Sequence, residues 1–176
     1  MGSPSKGLGK VEVAVKWDAS AMGEPDHDVD IIAATYAADA PHGAPVYLVH
    51  FDSRSPDGTI TLSRDSTTGQ GFGYDEVMTF ELERLASTYA RVVVGVAIQQ
   101  RTGRRTFADI PSTRFRVAEG YTELAQGDFA AVAGATAAVI GEFVRDGAGE
   151  WGLRPALRGF DTDPAEFTRV MGDAGA

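Results

Sequence analysis

Cysteine is absent from this 176-residue chain, which excludes disulfides, thiolate zinc sites and cysteine nucleophiles and permits a reducing compartment. Positive charge is scarce too. Sixteen Lys and Arg stand against 25 Asp and Glu, and the formal charge of -9 repels nucleic acid and anionic lipid while it gathers cations. Long apolar runs are also missing: none approaches the ~20 residues of a membrane helix, and Met1 to Lys10 has no stretch suited to a signal peptide. Lys6 stands where a myristoylation signal after Met1-Gly2-Ser3 needs Ser or Thr. The expectation is a cytoplasmic protein with a cationic ligand, a flexible end over residues 1–10 and a single domain over 11–176.

The chain is 43% hydrophobic and 23% charged, close to the globular average, and its 21 glycines favour many turns over long helices. Period-2 alternation from Val11 to Trp17 predicts a half-buried strand, and Val29 to Tyr36 predicts a second. Val46 to Phe51 reads as an apolar strand, and Ser55-Pro56-Asp57-Gly58 as a turn leading into a short strand at Ile60 and Leu62. Val77 to Leu82 alternates, whereas Arg91 to Ile98 is apolar without interruption, the pattern of a strand buried on both faces. Further strands are expected at Thr113–Ala118, Tyr121–Ala125, Ala135–Val144 and Glu150–Leu157. Phe129 to Ile140 mixes alanines with β-branched residues and fits helix or strand. Asp163-Pro164 reads as an N-cap followed by proline at the first helical position, with Phe167, Val170 and Met171 on one face of a short terminal helix.

The segment Asp65-Ser66-Thr67-Thr68-Gly69-Gln70-Gly71-Phe72-Gly73-Tyr74-Asp75-Glu76 carries the most chemical information. Calcium takes about six to eight oxygen ligands, and glycine lets a backbone turn tightly enough to aim carbonyls inward. Asp65 and Glu76 fall at the two ends of an EF-hand length, but Gly69 and Gln70 replace its fifth and sixth positions, so an EF-hand is excluded. A full coordination shell must therefore recruit carboxylates from elsewhere. Asp28 and Asp30, two apart and on one face of an extended chain, are the candidates. Local chemistry alone leaves open a solvated turn at Asp26, Asp28 and Asp30 and an ordinary hairpin at the glycine loop.

Trp17-Asp18, Asp28-Val29-Asp30, Ser55-Pro56-Asp57-Gly58, the spaced Asp65…Thr68-Gly69…Gly71…Gly73…Asp75-Glu76 and Gly149-Glu150-Trp151 occur in that order, and together they resemble the TerD family from about Val11 to Phe160. The resemblance implies a mainly β, antiparallel sandwich with short helices, in a cytoplasmic calcium-binding protein linked to tellurite resistance and stress tolerance. Asp28, Asp30, Asp65, Asp75 and Glu76 are the expected side-chain ligands, with Gly69, Gly71 and Gly73 shaping the loop. The chain departs from the family where Gln70, Phe72 and Tyr74 replace acids. Fewer anionic ligands weaken calcium binding, so the expectation is one site rather than two, or a site that fills only at high calcium. Asp52 stands where the family tends to have asparagine and adds a candidate oxygen.

Three other readings compete. His27, His42 and His50 with Asp26, Asp28 and Asp52 allow a metal-dependent hydrolase. Asp75 with Asp28 allows a glycosidase pair, and Trp17 and Trp151 allow sugar stacking, although tryptophans beside strands are more often core. A scaffold that docks stress-response proteins, with or without calcium, is the third. The sequence favours a binding protein over an enzyme, with no nucleic-acid partner and no direct membrane insertion.

Overall fold

The computed structural model describes residues 7–65, 73–101, 103–110 and 112–173, with Arg64 and Asp65 described by their backbone alone. Among these residues, ten strands form two five-stranded antiparallel sheets. The strands are β1 (Lys10–Lys16), β2 (Val29–Ala37), β3 (Tyr47–Val49), β4 (Ile60–Asp65), β5 (Glu76–Glu81), β6 (Tyr89–Ile98), β7 (Arg114–Glu119), β8 (Thr122–Asp128), β9 (Ala137–Arg145) and β10 (Trp151–Phe160). One sheet runs β4-β5-β1-β7-β8 and the other β10-β9-β6-β2-β3. A single short helix, α1 (Pro164–Val170), follows β10.

Strand alternation explains the layers. Val11, Val13 and Val15 of β1 and Met78 and Phe80 of β5 meet Val29, Ile31, Val92, Val94, Val96 and Phe143 in the core between the sheets. The second sheet is also apolar on its other face, where Ile32, Ala34, Tyr36, Val93 and Ala97 pack beneath Phe167 and Met171 of the helical segment. This doubly covered sheet explains the unbroken apolar run of β6. A methyl group on Gly95 would lie 2.5 Å from Phe167 Cζ, so glycine here is what lets the ring sit on the sheet. Asp163 Oδ1 accepts from the Glu166 amide at 2.7 Å, and Pro164 opens the helix as the sequence predicts, while Val170 stays partly exposed.

Several boundaries differ from the expected ones. β3 is short because it pairs with Ala33 to Thr35 alone, after which His50 and Ser53 bond each other's backbone and leave Phe51 in an exposed turn. Asp65 closes β4 instead of opening a loop. The ambiguous stretch divides into a 3-10 turn at Ala130–Val132 and the start of β9. Residues 7–9, expected in the flexible end, are hydrogen-bonded to the sandwich, with the Leu8 amide on Trp151 O and the Leu82 amide on Gly9 O. Both tryptophans are core residues. Among the described residues no helix is long and apolar enough to cross a membrane.

Truncating Phe167 to alanine removes the main contact between α1 and the sheet and is expected to cost about 3–5 kcal/mol, read from the denaturation midpoint. A cost below about 1 kcal/mol would mean that the helix contributes little to the packed structure.

Candidate functional site

The acidic residues gather at the entrance of β2. Asp30 is opposite Ala97 of β6, and cross-strand partners share a face, so Asp30 lies on the α1 side of the sheet with Ile32. Asp28 precedes the strand by one residue and has the same parity. The Gln99 amide donates to Asp28 O at 2.9 Å, extending the β2–β6 ladder by one step past Val29 and Ile98. The intervening Val29 and Ile31 point into the inter-sheet core.

Glu76 reaches the backbone of β2 from the other sheet. It opens β5 opposite Val15, on the core-facing side, and Asp65 of β4 is its other register partner. Because β3 covers only residues 33–35, the edge of β2 at residue 31 has no strand neighbour among the described residues. The Ile31 amide instead donates to Glu76 Oε2 at 2.6 Å, an ionic hydrogen bond made to the very peptide that joins Asp30 and Ile31. Glu76 thus substitutes for a missing strand.

Trp17 ties the remaining pieces together. Its amide donates to Asp75 Oδ2 and its indole Nε1 to His27 O, each at 2.9 Å, so one residue at the end of β1 is bonded to both acidic segments. The Asp75 amide donates to Val15 O and Lys16 Nζ to Gly73 O, both at 2.9 Å, fixing the end of the glycine loop against β1. Gly73 has a φ of 75°, a left-handed bend that favours glycine.

Asp28, Asp30, Asp75 and Glu76 are all buried. Carboxylates withdrawn from water need donors or cations in compensation. Two donors come from β6 and its extension: Gln99 Nε2 is 2.6 Å from Asp30 Oδ2, and Arg101 Nη2 is 2.7 Å from Asp28 Oδ2. Sequence reasoning missed Trp17, Gln99 and Arg101 as members of this corner. The signal for Gln99 and Arg101 is their two-residue spacing beside Asp28 and Asp30, which becomes readable only once the strand register is known.

The other sequence candidates lie as follows. Gly69, Gly71, Gln70 and Phe72 fall outside the described residues, and Asp65 is placed by its backbone only. Asp52 is exposed and lines a hollow of about 450 Å³ with Ile32, Leu48, His50, Gln99 and Asp163. Among the described residues no three His, Asp or Glu side chains are grouped to hold a metal ion by themselves. The donors at the corner are nonetheless oxygens of the hard kind calcium takes, carboxylates with backbone carbonyls nearby, and so suit it better than zinc or copper.

Comparison with known proteins gives a consistent picture. The TerD domain family matches residues 2–169. A protein named tellurium resistance protein TerD from Serratia marcescens is 29% identical over 155 residues, covering 85% of this chain and 80% of the relative. One of the same name from Alcaligenes sp. is 28% identical over 155 residues, with the same coverage, 85% and 80%. Among solved structures, a homologue of the telluride resistance protein TerD from Streptomyces coelicolor A3(2) superposes with a TM-score of 0.94 at 58% identity, covering 96% of this chain and all of the other (100%). A crystal structure of a protein of unknown function also gives 0.94, at 60% identity over 97% of this chain and 100% of that one.

Replacing Glu76 with alanine leaves a buried amide at Ile31 without its acceptor and is expected to cost about 1–3 kcal/mol in chelator. Glutamine, which keeps an acceptor, should recover most of the loss, and hydrogen exchange at the Ile31 amide reads the same bond directly. Unchanged exchange in the alanine variant would show that the contact does not hold the corner.

Proposed function

This chain belongs to the TerD domain family, and from that premise we propose that it is a calcium-binding module of a tellurite-resistance or stress-response system, working as a binding or scaffold protein and not as an enzyme. The observation that carries this reading is the burial of Asp28, Asp30, Asp75 and Glu76 around one strand entrance. Local hydrogen bonding could have been met with serine, asparagine or threonine. Four acids there accumulate negative charge, which favours a divalent ion. Asp65, whose backbone is the register partner of Glu76, is the proposed fifth ligand, and Gly69, Gly71 and Gly73 lie between the two in the sequence. One calcium ion fits the proposal better than two, because Gln70, Phe72 and Tyr74 bring no charge to the loop.

Calcium bound here would bridge the two sheets, since β2 and β5 belong to different ones, and would stabilise the fold by linkage. A cytoplasmic setting and protein partners in a stress-response complex complete the proposal. A second reading has its own support: a metal-free interaction module. Backbone amides, Gln99 and Arg101 already donate to these carboxylates from within the chain.

Calorimetric titration of the metal-stripped protein with calcium, with magnesium as control, separates the two. At a hundredfold excess over the dissociation constant, calcium is expected to add about 2.7 kcal/mol of stability, and Asp30→Asn and Asp65→Asn should each weaken binding at least tenfold. Wild-type binding retained in both variants would refute this ligand set, and no heat and no thermal shift with calcium would favour the metal-free module.

A further inference from the structure

We propose that Arg101 is a tethered cation that holds the Asp28 end of the corner in the metal-free protein, withdraws to solvent when a divalent ion binds, and so sets the calcium concentration the protein requires. This inference rests on the cation-binding reading and adds to it the regulation of the same site.

The geometry is asymmetric. Arg101 lies three residues beyond the end of β6, its Nη2 is 2.7 Å from Asp28 Oδ2, and its side chain is 61% exposed while that of Asp28 is only 4% exposed. The carboxylate is fixed in the fold; the guanidinium approaches it from water at the end of a long, flexible stem. Arg91 shows what a permanent structural arginine looks like in the same strand. It is buried, with Nε on Glu142 at 2.8 Å and Nη1 on the carbonyls of Pro41 and Gly172 at 3.0 and 2.9 Å. Arg101 has one described ion pair and an open path to solvent.

The corner therefore already seats a cation, supplied by the chain itself. That is an observation about the ligand the acids accept, independent of their clustering. A calcium ion bonds carboxylate oxygens at about 2.3–2.6 Å, and a guanidinium hydrogen-bonded to the same Asp28 oxygen would stand within a few ångströms of it. Two positive charges that close repel each other. Gln99 is neutral and need not leave Asp30. Of the two described side-chain donors only Arg101 is charged, so competition with a cation falls on it, and a partly exposed ion pair is weak enough for a divalent ion to displace.

Register explains why the residue sits there. Gln99 is opposite Asp28 in the extended ladder, so Arg101, two residues on, lies diagonally across from Asp28 on the same face. The ladder hence aims one neutral and one charged donor at the acid pair.

The test is calcium calorimetry on the metal-stripped full chain for the wild type, Arg101→Gln, Arg101→Lys and Arg104→Gln. Arg104, whose described ion pair is with Asp161 and not with an acid of the corner, controls for net charge. Arg101→Gln is expected to bind calcium roughly three- to tenfold tighter than the wild type, from the worth of a partly exposed ion pair. Arg101→Lys should stay near the wild type, and Arg104→Gln should match it. Thermal melting adds a readout independent of affinity: Arg101→Gln should melt below the wild type in chelator, with the gap closing at saturating calcium. Equal or weaker binding by Arg101→Gln, beside a wild type that binds, overturns the proposal and leaves the calcium reading standing, as does equal tightening in Arg104→Gln. Binding by Arg101→Gln alone supports it. Silence in all four proteins removes the calcium reading and this inference together.

Discussion

The bond from the Ile31 amide to the Glu76 carboxylate is the constraint around which the acidic corner is organised. A β-strand edge in a protein interior must have its amides satisfied, and β3 is too short to do this at the start of β2. The chain solves the problem with a carboxylate from the opposite sheet, which brings negative charge into a buried place. Three further carboxylates at the corner have donors of their own. Asp75 accepts from the Trp17 amide, Gln99 and Arg101 extend from β6 toward Asp30 and Asp28, and Lys16 donates to Gly73 O.

The sandwich supplies rigidity that the corner itself lacks. β6 is buried on both faces and pairs with β2 along nearly its whole length, so the position of Asp30 relative to Gln99 is set by a ladder and not by a loop. α1 and Phe167 close the outer face of that sheet. Trp17 then transmits the geometry of β1 to both acidic segments through one amide and one indole. The corner is thus positioned by strands of two sheets.

Membership of the TerD family gives the corner a context, and the departures of this chain give it a character. Gln70, Phe72 and Tyr74 bring no charge to the segment before Asp75, and a guanidinium stands at Asp28. On the proposed reading, fewer charged ligands and an internal competitor would both lower the affinity for calcium.

The sequence by itself determined the class of fold, most strand positions, the N-cap of the terminal helix and the acids worth watching, because alternation, capping and charge are local properties carried by residues within a few positions of each other. Misjudged details were those where pairing partners decide the outcome. Val46 to Phe51 had the composition of a full strand, yet only Tyr47–Val49 found a neighbour, and Asp65 joined β4 because Glu76 lay opposite. Only the tertiary structure decided that Glu76 caps the edge of β2, that Trp17 links both acidic segments, and that Gln99 and Arg101 face Asp30 and Asp28. Those contacts join residues about 10 to 70 positions apart through strand register, and register is fixed by the packing of whole sheets, which no local pattern encodes.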